Sequence, residues 1–528
     1  MNGIYDVMVA GGGAAGLTAA AFCARAGLRT LLCERNEKTG GLIHTFHHRG
    51  FSFDGGIRAF EDSGALLPML RLLGIDMDFV QNPVTIGIGE RSVRLNGKES
   101  LAGYAALLCS YFPQNAGEIE RIMQKAEEVM HYMDVLYGAE NPLFLESELR
   151  DPVYLTKTLL PWLLQYIVNI KKASRLHEPI EQYLLHFTQN KALIDMICQH
   201  FFAETPAFFA LSYFRLYLDY RYPHGGTGVL PERLEQYIRG HGGEIAQNAE
   251  VVCVLPHENT AVLKDGRRAV YRNLIWAADQ TSLYRAVQET LPPKAHLQKA
   301  RAEAAKGIDS VLTVFAGTCL PPETVESACG AHAFFTPLTS GISALPAWQP
   351  ERCGGTEAMQ KWAVAYLKTT TYEISVPTLR DPSLAPEGKT GLIISTLFDY
   401  DLAKWFHTQD AYEAFKSLCI ETILRVLDAS VLPGLSESTE FAICATPLTL
   451  ERKTANRHGA ITGWAYTNAV MPAVSKFGSI RKAVETDIPG VLQCGHWTFS
   501  PAGLPVAVIT GKLAADAAAA RGKKARRA

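Results

Sequence analysis

The first hydrophobic segments of the chain predict a strand, a helix and a second strand. Residues 4–10 (IYDVMVA) form an apolar run of strand length, residues 14–26 form an alanine-rich helical segment that Gly27 ends, and residues 30–33 (TLLC) form a second short run. A strand, a glycine-rich turn, a helix and a parallel strand make up a βαβ unit. We therefore predict an α/β fold that begins with a Rossmann-type domain.

The hydrophobic pattern of the sequence changes after this unit. Residues 65–222 are mostly long stretches with helical apolar periodicity, of which 195–202 and 211–220 are the clearest. Later segments predict two strands and one helix, at 310–315, 392–397 and 411–427. The pattern thus predicts a helical insertion followed by a mixed one.

Composition fits a folded chain of more than one part. At 528 residues it is too long for one ordinary hydrophobic core, so we expect two domains or one domain with large insertions. The net charge of −2 and the lack of a basic stripe argue against a nucleic-acid partner. The sequence shows no His/Cys cluster at zinc-ligand spacing, and we predict no metal site. Scattered cysteines and no signal-peptide pattern lead us to expect a cytoplasmic protein.

The most apolar stretch is residues 158–170 (TLLPWLLQYIVNI). It is shorter than the roughly 18 residues that span a bilayer. We predict a buried helix of the substrate domain, with an interfacial helix resting on lipid as the alternative, because Lys157, Lys171 and Lys172 flank it. The basic run 521–527 (RGKKARR) predicts a solvated, frayed tail or a contact with an anionic membrane surface.

The turn after the first strand, residues 11–16 (GGGAAG), satisfies the G-x-G-x-x-G pattern. Gly11 allows a sharp turn, Gly13 lets the backbone approach a pyrophosphate, and Gly16 lets the helix pack closely on the strand. The N–H groups and positive dipole end of the helix attract the pyrophosphate. At the end of the second strand, Glu34 is placed to accept hydrogen bonds from both hydroxyls of an adenosine ribose. These residues predict a dinucleotide site for NAD or FAD.

The segment after Glu34 decides between the two. A glycine doublet, Gly40-Gly41, is followed by residues 53–56 (FDGG), and this continuation resembles flavoproteins of the glutathione-reductase type. In those proteins the doublet carries backbone close along an extended FAD. Leu42 is a departure, because many relatives have arginine there. The resemblance implies noncovalent FAD as the cofactor.

Further motifs resemble the phytoene desaturase family, which includes carotenoid desaturases, carotenoid isomerases and retinol saturases. The resemblance runs nearly end to end, and the motifs that carry it are 222–228 (YPHGGTG), 242–245 (GGEI), 248–251 (NAEV), 381–389 (DPSLAPEGK) and 446–449 (TPLT). It implies that the FAD-binding domain is assembled from residues 1–64, 223–305 and 456–528. The insertions 65–222 and 306–455 then form an α+β substrate domain.

The same resemblance assigns roles near the C-terminus. A short strand precedes Gly495 and His496, and Gly503 and Leu504 precede a small-residue helix over 506–519. The N-terminus of that helix would point at the pyrimidine side of the flavin, where its positive end stabilises negative charge. His496 stands where many relatives have aspartate; it could donate to phosphate, face the substrate or be a satisfied buried histidine.

Other aromatic and apolar residues complete the prediction. Val251 would present its backbone to the adenine, although an ordinary strand residue would look the same. We place Trp464 and Tyr466 nearest the isoalloxazine. Aromatic residues of the first insertion are core residues in most cases, and some could line an apolar tunnel; they are Phe201, Phe202, Phe208, Phe209, Tyr213, Phe214, Tyr217 and Tyr220.

Together these arguments predict a site and an activity. The catalytic candidates are His496, Trp464 and Tyr466. The predicted cofactor-binding residues are Gly11, Gly13, Ala14, Ala15, Gly16, Glu34, Arg35, Gly40, Gly41, Leu42, Val251, Gly495, His496, Gly503 and Leu504. We expect hydride or electron transfer between FAD and a lipophilic, polyunsaturated substrate, by desaturation, saturation or isomerisation. The alternatives are an amine oxidase and a non-catalytic FAD- or lipid-binding protein.

Overall fold

A computed structural model describes residues 3–97, 99–136, 141–145, 151–173, 175–349 and 354–527. Its strands are β1 (Ile4–Ala10), β2 (Thr30–Cys33), β3 (Thr45–His48), β4 (Phe51–Asp54), β5 (Phe79–Gln81), β6 (Val84–Ile88), β7 (Arg91–Leu95), β8 (Arg221–Pro223), β9 (Glu244–Ala246), β10 (Val251–Leu255), β11 (Thr260–Leu263), β12 (Arg268–Trp276), β13 (Ser310–Thr318), β14 (His332–Thr336), β15 (Tyr372–Ser375), β16 (Thr390–Phe398), β17 (Thr439–Ala445) and β18 (Val491–Gln493).

The helices surround two large sheets. They are α1 (Ala14–Arg25), α2 (Leu66–Leu73), α3 (Ser100–Tyr111), α4 (Ala116–Leu136), α5 (Pro152–Tyr154), α6 (Leu160–Ala173), α7 (Ile180–Leu184), α8 (Lys191–Cys198), α9 (Ala207–Tyr217), α10 (Val229–Gly240), α11 (Gln280–Ala286), α12 (Pro293–Ala304), α13 (Pro322–Cys329), α14 (Thr356–Thr369), α15 (Tyr400–Thr408), α16 (Tyr412–Asp428), α17 (Leu435–Ser438), α18 (Pro447–Thr454) and α19 (Leu504–Arg527).

The first sheet contains the predicted βαβ unit. Its parallel strands lie in the order β9-β2-β1-β12-β18, and β11 and β10 extend it in antiparallel pairing. A parallel sheet is covered on both faces, and the centre of β1 is accordingly buried on both: Val7 and Val9 on one face and Met8 on the other are fully buried. The strand, helix and strand predicted for residues 4–33 are confirmed.

Two helices pack closely on one face of this sheet. Helix α19 lies against α1, and a Cβ at Gly511 would come within 2.6 Å of the Ala15 carbonyl oxygen. Helix α10 also contacts α1, and its buried residues, Leu234 among them, join the same apolar core. Small residues on α1 and α19 therefore set how near the C-terminal helix comes to the first turn of α1.

The second sheet has the order β17-β13-β16-β15-β14-β6-β7. Its strands pair antiparallel except for β6 and β14, which are parallel. Strands β6 and β7 come from the segment that we predicted to be mostly helical. Residues 84–88 form a run too short for a helix and buried along its whole length, which suits a strand inside a sheet. The first insertion thus supplies an edge of the second sheet as well as helices α3, α4, α8 and α9.

Helix α6 corrects the prediction of a buried helix. Its residues 160, 163, 164, 167 and 168 lie on one face by helical spacing, and all of them are exposed; Leu164 is 61% exposed and Val168 54%. The opposite side contacts α4, where the Trp162 indole N–H donates to the Val135 carbonyl oxygen over 2.8 Å. In the part of the chain that the structure describes, no helix is long and apolar enough to cross a membrane.

The C-terminal basic segment is helical rather than frayed. Helix α19 continues past Gly522 to Arg527, because one glycine inside a helix costs only about 1 kcal/mol and the run contains no proline after residue 505. The side chains of residues 524–527, and residue 528 altogether, lie outside the described part of the structure.

Candidate functional site

One continuous cavity of about 500 Å³ lies between the two sheets. One part is lined by the turn after β1, the end of β2 and the residues just before α19; the other is lined by the second sheet and the aromatic face of α9. We call the first part the cradle and the second part the chamber. The predicted cofactor-binding residues, except Gly16, line the cradle.

The glycines of the first turn each answer a steric requirement. Gly11 has φ +108°, and a Cβ there would meet the Ala277 carbonyl oxygen at 2.6 Å. A Cβ at Gly16 would lie 1.9 Å from the Gly11 carbonyl oxygen, so Gly16 shapes the turn from behind the cavity. A Cβ at Gly13 would meet no protein atom within 4 Å, because it would project into the cradle.

The first turn of α1 is open to an anion. Gly13 is its N-cap and provides no side-chain hydrogen bond, and the turn contains no acidic residue. Helix N-termini leave N–H groups without intrahelical partners and carry positive dipole charge. Ala14 and Ala15 line the cavity at this point. The geometry therefore fits the pyrophosphate of a dinucleotide such as FAD.

Glu34 is held in place at the end of β2. Its carboxylate accepts hydrogen bonds from the backbone N–H of Gly12 over 2.7 Å, from the backbone N–H of Asn36 over 2.8 Å and from the Asn36 side-chain amide over 2.9 Å. A carboxylate has about four lone-pair directions, so one remains for a ribose hydroxyl. Acceptance from both ribose hydroxyls, which we expected from the sequence, stays a prediction.

The glycine doublet lies against the first turn. The Gly40 N–H donates to the Gly12 carbonyl oxygen over 2.7 Å, and a Cβ on Gly41 would come within 3.3 Å of the Gly13 Cα. Both doublet residues have positive φ, +115° and +60°. Leu42 lines the cavity beside them. The doublet thus packs against the backbone of the turn that precedes α1 and forms the adjoining side of the cradle.

The remaining predicted contacts come from distant segments. Val251 and Arg35 reach the cavity beside Glu34, and the Arg35 guanidinium donates to the Arg452 carbonyl oxygen over 3.0 Å. Gly503 and Leu504 line the cavity at the start of α19. The structure therefore brings the ends of the chain together around one space.

His496 also lines the cavity, next to Gly495. Burial lowers the pKa of His496 to about 4, although Asp279 acts in the opposite direction. Its ring packs edge-on against Trp497 with centroids 5.3 Å apart. A neutral imidazole supplies one N–H donor but no positive charge. As a neutral ring, His496 can therefore donate one hydrogen bond to a ligand in the cavity.

Trp464 and Tyr466 do not line the cavity. Trp464 is buried behind Trp497, where its indole N–H donates to the Trp497 carbonyl oxygen over 2.8 Å. Tyr466 packs on the same apolar cluster. We predicted both to lie nearest the isoalloxazine, but the structure gives them supporting positions in the wall behind His496.

An aromatic wall forms one side of the chamber. Phe208 and Phe214 pack into the helical core instead, whereas the remaining predicted aromatic residues reach the cavity: Phe201, Phe202, Phe209, Tyr213, Tyr217 and Tyr220. Five of these rings form a chain of contacts through Tyr213 and Tyr217, whose centroids are 5.7 Å apart. Such a wall suits a flat or extended apolar ligand.

A second side of the chamber is a row of residues on the second sheet that we did not predict. We call it the polar row after Thr313, Ser395 and Glu373; Phe334 at its end contacts the Tyr217 ring of the aromatic wall, with centroids 5.2 Å apart. Thr313, Ser395, Glu373 and Phe334 pair directly across strands β13, β16, β15 and β14, and all line the cavity. Arg58, fully enclosed, donates to the Ser395 hydroxyl over 3.0 Å. The signal for Glu373 was present, since a charged residue in the buried run Tyr372–Ser375 is unusual.

Glu61 is the second carboxyl group in the chamber. It follows the cradle loop at residues 55–59 and lines the cavity. Burial raises the pKa of Glu61 to about 7, and only its own backbone N–H acts in the opposite direction. A carboxyl group that changes protonation near neutral pH can take up or give a proton. Among the described residues, no group of three or more His, Cys, Asp or Glu is arranged to hold a metal ion.

Comparison with known proteins agrees with this geometry. Residues 14–519 match a family model described as flavin containing amine oxidoreductase. All-trans-retinol 13,14-reductase of Danio rerio is 23% identical over 492 residues, which cover 87% of this chain and 77% of that protein. Phytoene desaturase of Cercospora nicotianae is 22% identical over an alignment of 581 residues, which covers 96% of this chain and 88% of that protein.

Two further matches differ in extent. A protein of Danio rerio named inactive all-trans-retinol 13,14-reductase is 27% identical over 274 residues, and this match spans 48% of the chain and 42% of that protein. Among solved structures, cyclohexylamine oxidase from Brevibacterium oxydans IH-35A superposes with a TM-score of 0.58 at 13% identity, over 99% of this chain and all of that one. The structural likeness establishes the shared fold.

Proposed function

The chain belongs to the family of flavin-containing amine oxidoreductases, and from this premise we propose that it oxidises or reduces a lipophilic, polyunsaturated substrate in the chamber. It is an FAD-dependent oxidoreductase related to retinol reductases and phytoene desaturases. The observation that carries the proposal is the continuity of the cavity, because one space contains both the cradle and the aromatic chamber. A cofactor and an apolar substrate can therefore meet away from water.

The cradle residues would hold the FAD. The N–H groups at the start of α1 bind the pyrophosphate, and Gly13 leaves room for it. Glu34 would accept from the adenosine ribose, and the backbone at Val251 would lie beside the adenine. Gly503 and Leu504, at the N-terminus of α19, would contact the flavin ring, and the positive end of that helix would stabilise negative charge there. When bound, FAD supplies the hydride or electron transfer.

The chamber residues orient the substrate and manage protons. Tyr213 and Tyr217 provide a flat apolar surface along which a polyene lies. Addition or removal of two hydrogens at a carbon–carbon bond involves a proton as well as a hydride. Glu61 supports this step, because it lines the same cavity and its pKa of about 7 allows both protonation states.

The substrate class follows the named relatives. Retinol and phytoene are both long lipophilic polyenes, and the aromatic wall supports such a substrate. Desaturation, saturation and isomerisation all use the same arrangement of cofactor and substrate. Product analysis separates them: FAD-loaded protein is incubated with all-trans-retinol or phytoene, and the products are examined for gain or loss of two hydrogens or for a changed double-bond geometry. Recovery of unchanged polyenes under oxidised and reduced conditions would contradict the proposal.

Amine oxidation is the second candidate activity. The description of the matching family and the shared fold with cyclohexylamine oxidase favour it. Anaerobic mixing with amines distinguishes the two, because an amine oxidase is reduced by an amine and is indifferent to polyenes. A protein that binds FAD or lipid without turnover would bind both ligands and change neither.

We further infer that α6 rests on a membrane surface. Its exposed residues form a continuous apolar stripe, Leu160, Leu163, Leu164, Ile167 and Val168. An exposed apolar stripe of this kind is typical of interfacial helices. Lys171 and Lys172 in its last turn add attraction for anionic lipid, and no acidic residue lies within α6. A lipophilic substrate dissolved in the bilayer would then be close to the protein.

A further inference from the structure

We propose that the polar row of the chamber is a head-group subsite, in which the Glu373 carboxylate accepts a hydrogen bond from a hydroxyl group at one end of the lipophilic substrate. The inference rests on the proposed function, since it concerns which polyene the chamber takes. It predicts an alcohol in preference to a hydrocarbon, an ether or an amine.

A hydrogen-bonded relay orients Glu373. Arg380 donates to the Asn82 side-chain oxygen over 3.2 Å, so the Asn82 amide group faces His332 and donates to its Nδ1 over 3.1 Å. Nδ1 is then an acceptor, and the proton lies on Nε2, which donates to the Glu373 Oε1 over 3.0 Å. The relay assigns one tautomer to a buried histidine and leaves the Glu373 Oε2 free of this contact.

The Glu373 side chain reaches the chamber. Glu373 lines the cavity, and 30% of its side chain is open although the residue lies between strands β14 and β16. On its two sides in the sheet lie Ser395 and Phe334. His332 therefore holds the Glu373 side chain in place, and the part of the side chain that lines the cavity is available to a ligand.

Glu373 is ionised. Burial alone would raise the pKa of Glu373, but the hydrogen bond from His332 and the charges of Arg58 and Arg380 outweigh burial and hold the pKa below its ordinary value. An ionised carboxylate is an acceptor only. The group that it binds must therefore be a donor.

Charge balance favours a neutral donor. The cluster around Glu373 contains two cations, Arg58 and Arg380, and two anions, Glu373 and Asp54. Glu61, the other carboxyl group of the chamber, is neutral below its pKa of about 7 and then adds no charge. Burial of His332 lowers its pKa, so it adds no charge. A protonated amine would give this enclosed cluster an excess positive charge, which is costly without water. A hydroxyl group donates a hydrogen bond and leaves the balance unchanged.

A hydrocarbon end would be disfavoured at this position. It would cover the carboxylate and remove water from it without supplying a hydrogen bond, and a charged hydrogen bond contributes about 1.5–3 kcal/mol. This corresponds to a preference of roughly 10- to 150-fold for the alcohol over a matched ligand that cannot donate. An ether of the same polyene has the same oxygen but no donor, which makes it a sharp comparison.

Ligand binding to the FAD-loaded protein tests the subsite. The ligands are all-trans-retinol, retinyl methyl ether and retinylamine, and quenching of tryptophan fluorescence gives each Kd. We expect retinol to bind at least about tenfold more tightly than the ether and more tightly than the amine. Equal affinity for retinol and the ether would overturn the subsite, as would tightest binding of the amine.

Two variants localise the effect. In Glu373→Gln the new amide can donate to an ether oxygen, so the preference for retinol over the ether should fall below about threefold. Glu440→Gln, on the exposed part of β17, is the matched control and should keep the wild-type preference. FAD content and circular dichroism verify folding, and if Glu373→Gln does not fold, the comparison of ligands on the wild-type protein still decides. An unchanged preference in folded Glu373→Gln would also overturn the subsite.

The outcomes separate the two proposals. If polyenes bind and react but the alcohol is not preferred, the subsite is wrong and the proposed function stands. If none of the three polyenes binds and amines reduce the cofactor, the proposed function is wrong and the subsite falls with it.

Discussion

Replacement of Gly13 by alanine separates cofactor binding from folding. The backbone at Gly13 has φ −75° and ψ −177°, which alanine adopts readily, and the added Cβ meets no protein atom within 4 Å. Alanine is a poorer N-cap than glycine but also reduces the entropy of the unfolded chain, and these effects offset each other to within about 1 kcal/mol. The apoprotein should therefore unfold at nearly the wild-type urea concentration.

FAD affinity should fall. The methyl group of Gly13→Ala projects into the cradle, where the pyrophosphate lies against the first turn of α1. Forcing a methyl group into an occupied position costs about 1–3 kcal/mol, which raises the Kd of FAD roughly 5- to 150-fold. Titration of the apoprotein with FAD, followed by flavin fluorescence, measures this change.

Gly240→Ala is the matched control. Gly240 is the last residue of α10, is exposed, and likewise has open space around a Cβ. This variant should be slightly more stable, by about 0.5–1 kcal/mol, and bind FAD as the wild type does. If folded Gly13→Ala bound FAD within about twofold of the wild type, the pyrophosphate would not lie at Gly13 and the assignment of the cradle would be refuted.

Three further predictions concern packing, protonation and surface. Gly511→Ala pushes a methyl group against the α1 backbone and should lower the free energy of unfolding by about 1–3 kcal/mol. The control Gly522→Ala, on the same helix, should change the free energy of unfolding by less than about 1 kcal/mol. Equal urea midpoints for the two variants would contradict close packing of α19 on α1. Folding raises the pKa of Glu61 from 4.5 to about 7, so the wild-type apoprotein loses stability relative to Glu61→Gln as pH rises through this window. The free energy of unfolding of Glu61→Gln minus that of the wild type should therefore increase by about 2–3 kcal/mol between about pH 5 and about pH 8. A difference that stays constant with pH would contradict this. Leu164→Glu should reduce co-sedimentation with phosphatidylserine vesicles, while Leu297→Glu, at another exposed leucine, should not; equal losses would argue against docking through α6.

The local motifs of the first domain could be predicted because they depend on neighbouring residues. The turn at residues 11–16 needs glycine for reasons that are visible in the sequence, and Glu34 follows at the end of a short apolar strand. Boundaries were close too: the predicted strand at 392–397 is Thr390–Phe398 in the structure. Backbone sterics and hydrophobic period are sufficient for such features.

The polar row of the chamber could not be predicted in this way, because its residues meet through sheet register. Thr313, Ser395 and Glu373 lie on three strands, and only the pairing of those strands places them in one row. The relay behind Glu373 adds Asn82, from a segment interpreted as helical. No spacing along the chain shows such a pairing.

The predictions for helix α6 and Trp464 were wrong for a different reason. Hydrophobic periodicity shows that a helix has an apolar face, but not whether protein covers that face; in α6 the leucines point outward. Trp464 was placed by its nearness in sequence to the last strand of the first sheet. In the structure Trp497 lies between Trp464 and the cavity, so only the packing reveals its supporting role.

The central claim, that FAD and a polyene react in one cavity, is tested most directly by anaerobic mixing. The FAD-loaded protein is prepared in oxidised and in reduced form, and each is mixed with all-trans-retinol, with phytoene and with cyclohexylamine while the flavin absorbance is followed. We expect at least one polyene to bleach the oxidised flavin or restore the absorbance of the reduced flavin, and the amine to do neither. Bleaching by the amine, with no response to either polyene in either form, would contradict the account.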